Sequence, residues 1–131
     1  MNHKLKIKAL PCAFTICQPE DFSQVRADAE FCFTGRTDNE FSLVCRTEDV
    51  PPNTVVRDDG WKAFRVEGIL DFALVGILAE LSALLAEHQI AIFAISTYRT
   101  DYILTRAEQF PRALELLSRA GCQIEPPLDP T

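Results

Sequence analysis

Between Trp61 and Glu125 the apolar residues switch repeatedly between a strand-like and a helix-like period, and the order of these switches leaves few folds open. Lys62 to Glu67 alternates, with Phe64 and Val66 on one side and Ala63, Arg65 and Glu67 on the other, which predicts a strand. Gly68-Ile69-Leu70 turns the chain, and Asp71 is placed to cap a helix by accepting from the free N–H groups of its first turn. Leu74, Ile77, Leu78, Leu81, Leu84 and Leu85 form one apolar stripe, which predicts a helix over Phe72 to His88. Ile90 to Ser96 is apolar on both faces and reads as a central strand. Thr97 to Thr100 is a tight connection, and Asp101 to Thr105 returns as the second strand of a hairpin. After a short turn at Thr105–Gln109, Pro111 fits the first turn of a second helix, with Ala113, Leu114, Leu116, Leu117 and Ala120 buried and Gly121 at its end. Gln123 to Glu125 is a last short strand. The order is β-α-β-β-α-β, which folds as an α+β, ferredoxin-like sandwich with both helices on one face of the sheet.

The first half is strand-rich. Lys4 to Leu10, Ala13 to Cys17, Glu30 to Thr34, Phe41 to Arg46 and Thr54 to Arg57 are candidate strands, and Pro19 to Ala27 is a candidate short helix because Phe22 and Val25 are three apart. Thr34-Gly35-Arg36-Thr37-Asp38 echoes Thr97-Tyr98-Arg99-Thr100-Asp101, each followed by an aromatic, a leucine and an Arg-x-Glu, with a small insertion around Asn39-Glu40. The chain is therefore expected to hold two related units sharing one sheet. One is a degenerate unit over residues 1–60, the other a complete unit over 61–125, and 126–131 is a Pro-rich tail.

Composition narrows the function. A net charge of -6 argues against a nucleic-acid partner, because phosphate binding needs a basic stripe. Five cysteines with no C-x-x-C pair suggest neither a disulfide framework nor a zinc ribbon, and fit reduced thiols in a cytoplasmic protein. The apolar-rich region Ile69 to Ala86 is interrupted by Asp71, Gly76, Glu80 and Ser82, so no membrane span is expected. His3 and His88 are the only histidines, which leaves little for a metal site or a His-assisted nucleophile. No phosphate-binding glycine loop occurs, and no cofactor is expected.

Two segments remain as candidates for chemistry. The stretch Gly68 to Leu78 places a helix N-terminus after a strand, where free N–H groups and the helix dipole suit a carboxylate. Gly76 inside the expected helix costs about 1 kcal/mol relative to alanine, so a close neighbour, either a packed backbone or a ligand, is expected beside it. The stretch Ser96-Thr97-Tyr98-Arg99-Thr100-Asp101 clusters two kinds of hydroxyl, a cation and an anion at a strand end. Such a group suits a zwitterion, and equally suits a solvated hairpin in which Thr and Asp satisfy their own backbone.

These segments carry a resemblance. Trp61 to Gly68, Leu70-Asp71-Phe72, Val75-Gly76-Ile77-Leu78 and above all Ile92-Phe93-Ala94-Ile95-Ser96-Thr97-Tyr98-Arg99-Thr100-Asp101-Tyr102-Ile103-Leu104 resemble the ACT domain. The nearest subgroup is the aspartokinase-like type of small bacterial tandem-ACT proteins and of cytosolic arginine sensors. The resemblance implies side-by-side pairing of ACT units, a homodimer, and an amino-acid effector site where units meet. The matching positions are Asp71, Phe72, Val75, Gly76 and Ile77, with Ser96, Thr97, Tyr98, Thr100 and Asp101. It implies a regulatory sensor without catalytic activity. The competing expectation is an ACT module that binds no ligand and acts through dimerisation or a partner protein.

Overall fold

A computed structural model describes residues 5–67 and 76–126. Its strands are β1 (Lys6–Ala9), β2 (Phe14–Pro19), β3 (Phe33–Arg36), β4 (Phe41–Arg46), β5 (Thr54–Glu67), β6 (Ile92–Ser96), β7 (Asp101–Arg106) and β8 (Gln123–Glu125). The helices are α1 (Ile77–Glu87) and α2 (Phe110–Arg119), and short 3-10 turns follow β4 and β7. The chain divides into two compact units, one of residues Cys12–Trp61 and one of the described residues in Met1–Pro11 and Lys62–Thr131.

The larger unit has the predicted α+β, ferredoxin-like order β5-α1-β6-β7-α2-β8 with one addition. Strand β1, expected in the first unit, lies between β5 and β8. It is antiparallel to β5, with Ile7 opposite Val66, and parallel to β8, with Ile7 opposite Ile124. β1 alternates half-buried lysine with buried Ile7 and Ala9, so one face joins the core while Lys6 and Lys8 stay at the surface. The core gathers Leu5, Ile7, Phe64, Val66 and Ile103 from and beside the strands, Ile77, Leu81 and Leu85 from α1, and Phe110, Ala113, Leu116 and Leu117 from α2.

Both helices end alike. After α1, Gln89 donates to the Ala86 carbonyl and Ile90 to Leu85, and Gln89 takes φ 59. After α2, Gly121 donates to Ser118 and Cys122 to Leu117, with Gly121 at φ 105. Each is the paired bond of a Schellman cap, in which a left-handed residue reverses the chain. Pro111 sits in the first turn of α2, where its missing N–H costs nothing.

Several sequence expectations change. α1 begins at Ile77 with Gly76 at its N-cap; Asp71, the expected cap, and the expected first turn, 72–75, lie outside the described residues. Among the described residues β6 pairs with β7 alone, as an edge strand, with a half-buried and exposed pattern in place of the two-sided burial expected of a central strand. Pro19 ends β2, and Glu20 to Ala27 forms bends and turns, not a helix. Phe22 instead packs edge-on against Phe41 at 5.0 Å, and Val25 packs on Cys17, Leu43 and Cys45.

In the smaller unit β3 pairs with β4, β4 with β2, and β2 with residues Thr54–Trp61 of β5. Its β3–β4 hairpin repeats the β6–β7 hairpin in detail. Thr37 N–H donates to Glu40 O at 3.0 Å and Thr97 N–H to Thr100 O at 2.8 Å. The Thr37 hydroxyl accepts from Glu40 N–H at 3.2 Å, as the Thr97 hydroxyl does from Thr100 N–H at 3.3 Å. β4 and β7 share one burial order, with the middle three residues Leu43-Val44-Cys45 and Ile103-Leu104-Thr105 buried. Arg46 and Arg106 close both strands with nearly identical dihedrals. The sequence echo is therefore structural, but its register is different: Thr37, not Thr34, matches Thr97, and no insertion is needed.

Candidate functional site

The β6–β7 turn borders two recesses. A narrow one of about 180 Å³ is lined by Ile77 of α1, Val66 of β5 and Thr97, Tyr98, Arg99, Thr100 and Asp101 of the hairpin. A wider one of about 700 Å³ also borders Val66 and the turn, and is lined further by Arg65, Glu67 and Tyr102. Ile77 and Thr97, Tyr98, Thr100 and Asp101 are thus brought together as the sequence placed them. Asp71, Phe72 and Val75 lie outside the described residues.

Gly76 departs from expectation in kind. It is not inside the helix but precedes it, at φ 90 and ψ 0, and no heavy atom lies within 4 Å of where a Cβ would sit. Close packing therefore does not require the glycine; the left-handed backbone does. Gly76 itself has no side chain to cap the helix start, and the first intrahelical bond is Glu80 N–H to Gly76 O at 2.8 Å. The N–H groups of Ile77, Leu78 and Ala79 consequently have no acceptor within the helix.

Much of the hairpin's polarity is committed to the fold. The Thr97 hydroxyl donates to Thr100 O at 3.0 Å. The Thr100 hydroxyl donates to the Val66 carbonyl, fastening the turn to β5. Ser96 donates to Asp101 Oδ1 at 2.6 Å, leaving the second carboxylate oxygen to reach beyond the hairpin. Tyr98 is fully exposed at the lip.

Arg65, Glu67 and Tyr102 were not among the expected site residues. Arg65 Nε donates to Glu67 Oε2 at 2.7 Å, and Arg65 Nη1 to the Tyr102 hydroxyl at 3.4 Å. Partial burial opposes the Arg65 charge, but Glu67 and the Tyr102 oxygen more than offset it and hold its pKa above the usual arginine value. The signal was present in the alternation of β5, which puts Arg65 and Glu67 on the same face.

Residues 56–119 match the family model described as the ACT domain. Residues 56–119 are an ACT domain. The fold agrees with solved structures. An Agobacterium tumefaciens protein is 26% identical with a TM-score of 0.84, covering 95% of each chain. A Vibrio cholerae protein of unknown function is 20% identical with a TM-score of 0.72, covering 90% of this chain and 91% of that one. The ligand-free regulatory subunit of aspartate kinase from Thermus thermophilus is 11% identical with a TM-score of 0.58, covering 83% and 93%. No curated protein matches. Among the described residues no group of three or more His, Cys, Asp or Glu side chains is placed to hold a metal ion, and no helix is long and apolar enough to cross a membrane.

Proposed function

We propose that this protein is a non-catalytic regulatory sensor that binds a small amino acid in the recess between the start of α1 and the β6–β7 turn. The observation that carries this reading is that Ile77, at the N-terminus of α1 in an ACT domain, lines the same narrow recess as Asp101. A helix start attracts a carboxylate, and the free Asp101 oxygen accepts from an ammonium. The two ends of a zwitterion have opposite charges, as do these two groups. The recess opens to solvent at Tyr98, and β6 is an edge strand. Edge strands invite pairing. A second copy of the chain therefore closes the site, as a homodimer with the ligand at an ACT–ACT junction.

The test is a thermal-shift screen of the full chain against the common amino acids. A ligand at one hundred times its Kd adds about 2.7 kcal/mol. The expected result is a shift with at least one amino acid that is lost in Asp101→Asn. No shift with any of them overturns the proposal. One observation favours the competing reading of a ligand-free interaction module: the hydroxyls of Ser96, Thr97 and Thr100 already have partners within the protein. That reading predicts dimerisation or partner binding that is indifferent to amino acids.

A further inference from the structure

We propose that Cys32 and Cys45 are a thiol pair that a peroxide oxidises to a disulfide across the β3–β4 hairpin. The pair lies in the smaller unit and does not depend on the amino-acid reading above. It follows from the register of the hairpin. Phe33 lies opposite Val44 and Thr34 opposite Leu43, so one step further sets Cys32 opposite Cys45. At the turn, the bond from Thr37 N–H to Glu40 O makes 37 and 40 a hydrogen-bonded pair. Such pairs alternate along an antiparallel ladder, which makes 33 with 44 hydrogen-bonded and 32 with 45 not. At a non-hydrogen-bonded pair the Cα atoms are about 4.5 Å apart and the side chains are closest. A disulfide spans roughly 4.4–6.8 Å between Cα atoms.

Packing agrees with the register. Half-buried Cys32 packs against the buried cluster of Cys17, Leu43 and Cys45. The third thiol, Cys17, shares a hydrogen bond with Cys45 but stands opposite Leu43, on the diagonal. Diagonal neighbours are about 7–8 Å apart, too far for a disulfide without backbone movement. Cys32 is the more exposed of the facing pair, so it takes the oxidant. Its sulfur attacks one peroxide oxygen, the O–O bond breaks, and the Cys32 proton leaves with the departing hydroxide as water. The Cys45 sulfur then attacks the sulfenic sulfur of Cys32, the S–O bond breaks, and the Cys45 proton leaves with that hydroxide as a second water. Two thiols are oxidised and one peroxide is reduced. Burial, and after it Asp49, raises the Cys32 thiol, and burial pushes the Cys45 thiol up to about 12. Thiolate is therefore scarce, and the pair closes slowly.

The test exposes the full chain overnight to millimolar hydrogen peroxide, blocks the remaining thiols by alkylation, digests with trypsin and maps linked peptides by mass spectrometry. Cleavage after Arg26, Arg36 and Arg46 puts Cys32 in the peptide 27–36, Cys45 in 37–46, and Cys12 with Cys17 in a third. The expected product is 27–36 joined to 37–46, from a protein that runs as one chain on a non-reducing gel, and dithiothreitol is expected to separate the two peptides. Cys32→Ser is expected to lose this link and Cys17→Ser to keep it. In urea the preference is expected to pass to Cys12 and Cys17, the nearest pair along the chain. No link between Cys32 and Cys45 in the native chain, a link from Cys17 to Cys45 in its place, a link found only between chains, or the same preference in urea overturns the inference. If a variant fails to fold by circular dichroism, the peptide map of the native chain decides alone.

Discussion

Thr100 shows how a single side chain can connect the fold to the site. Its hydroxyl bonds the Val66 carbonyl, and that bond fastens the turn beside β5, where both recesses form. Thr100→Val leaves the carbonyl without this partner and is expected to lower unfolding stability by about 1 kcal/mol in a urea titration. Asp59 offers a separate test by pH. Its carboxylate accepts from the Thr15 hydroxyl at 2.7 Å and from Arg57, and the Thr15 bond first, then Arg57, lowers its pKa. A depressed folded pKa contributes stability above the unfolded value near 3.9, and the contribution is lost as pH falls through the folded value. The stability difference between the native chain and Asp59→Asn is therefore expected to hold at neutral pH and to close on acidification below about 4. The cysteines differ among themselves by burial. Cys17, Cys45 and Cys122 are buried, and burial, followed by the neighbouring Cys17 and Asp49, pushes the Cys45 thiol up to about 12. Because thiolate is the reactive form, native-state alkylation followed by mass spectrometry is expected to label Cys12 and Cys32 first and Cys45 only after unfolding.

At the scale of elements, the two helix ends form a matched comparison. The same Schellman bonds close α1 and α2, but the left-handed position is Gly121 in one and Gln89 in the other. A side chain at positive φ costs about 1–2 kcal/mol relative to ordinary backbone. Gln89→Gly is expected to stabilise the protein by about 0.5–1 kcal/mol, the gain being trimmed by glycine's freedom in the unfolded chain. Gly121→Ala is expected to destabilise it by about 1–2 kcal/mol. The pair is measured in one series of denaturant curves, and changes of the same sign would contradict the account. The helix starts differ as well. Pro111 was legible from its fixed φ, whereas Gly76 was misplaced inside α1 because an apolar stripe does not record where backbone turns left-handed.

For the whole molecule, what was legible depended on whether the information is local. The β-α-β-β-α-β order from β5 to β8 could be read because each element carries its own period, as the stripe of Leu81 and Leu85 and the alternation around Arg65 show. The hairpin contribution to the recesses could be read for the same reason: Thr97 to Asp101 are consecutive. Arg65, Glu67 and Tyr102 were missed because they reach the wider recess through pairing of distant strands, and the edge position of β6 was missed because a run such as Ile92-Phe93-Ala94-Ile95 looks alike in the centre and at the rim of a sheet. The same limit hid the place of β1, whose partners Phe64–Glu67 and Gln123–Glu125 lie far along the chain. A fragment beginning at Lys62 is accordingly expected to remain unfolded by circular dichroism, and to fold on addition of a peptide spanning Leu5–Leu10. There is a consequence for biosynthesis. β1 leaves the ribosome long before its parallel neighbour β8, so the larger unit cannot close until β8 has been made. Until then Ile7 and Ala9 are exposed to whatever chaperone attends the nascent polypeptide.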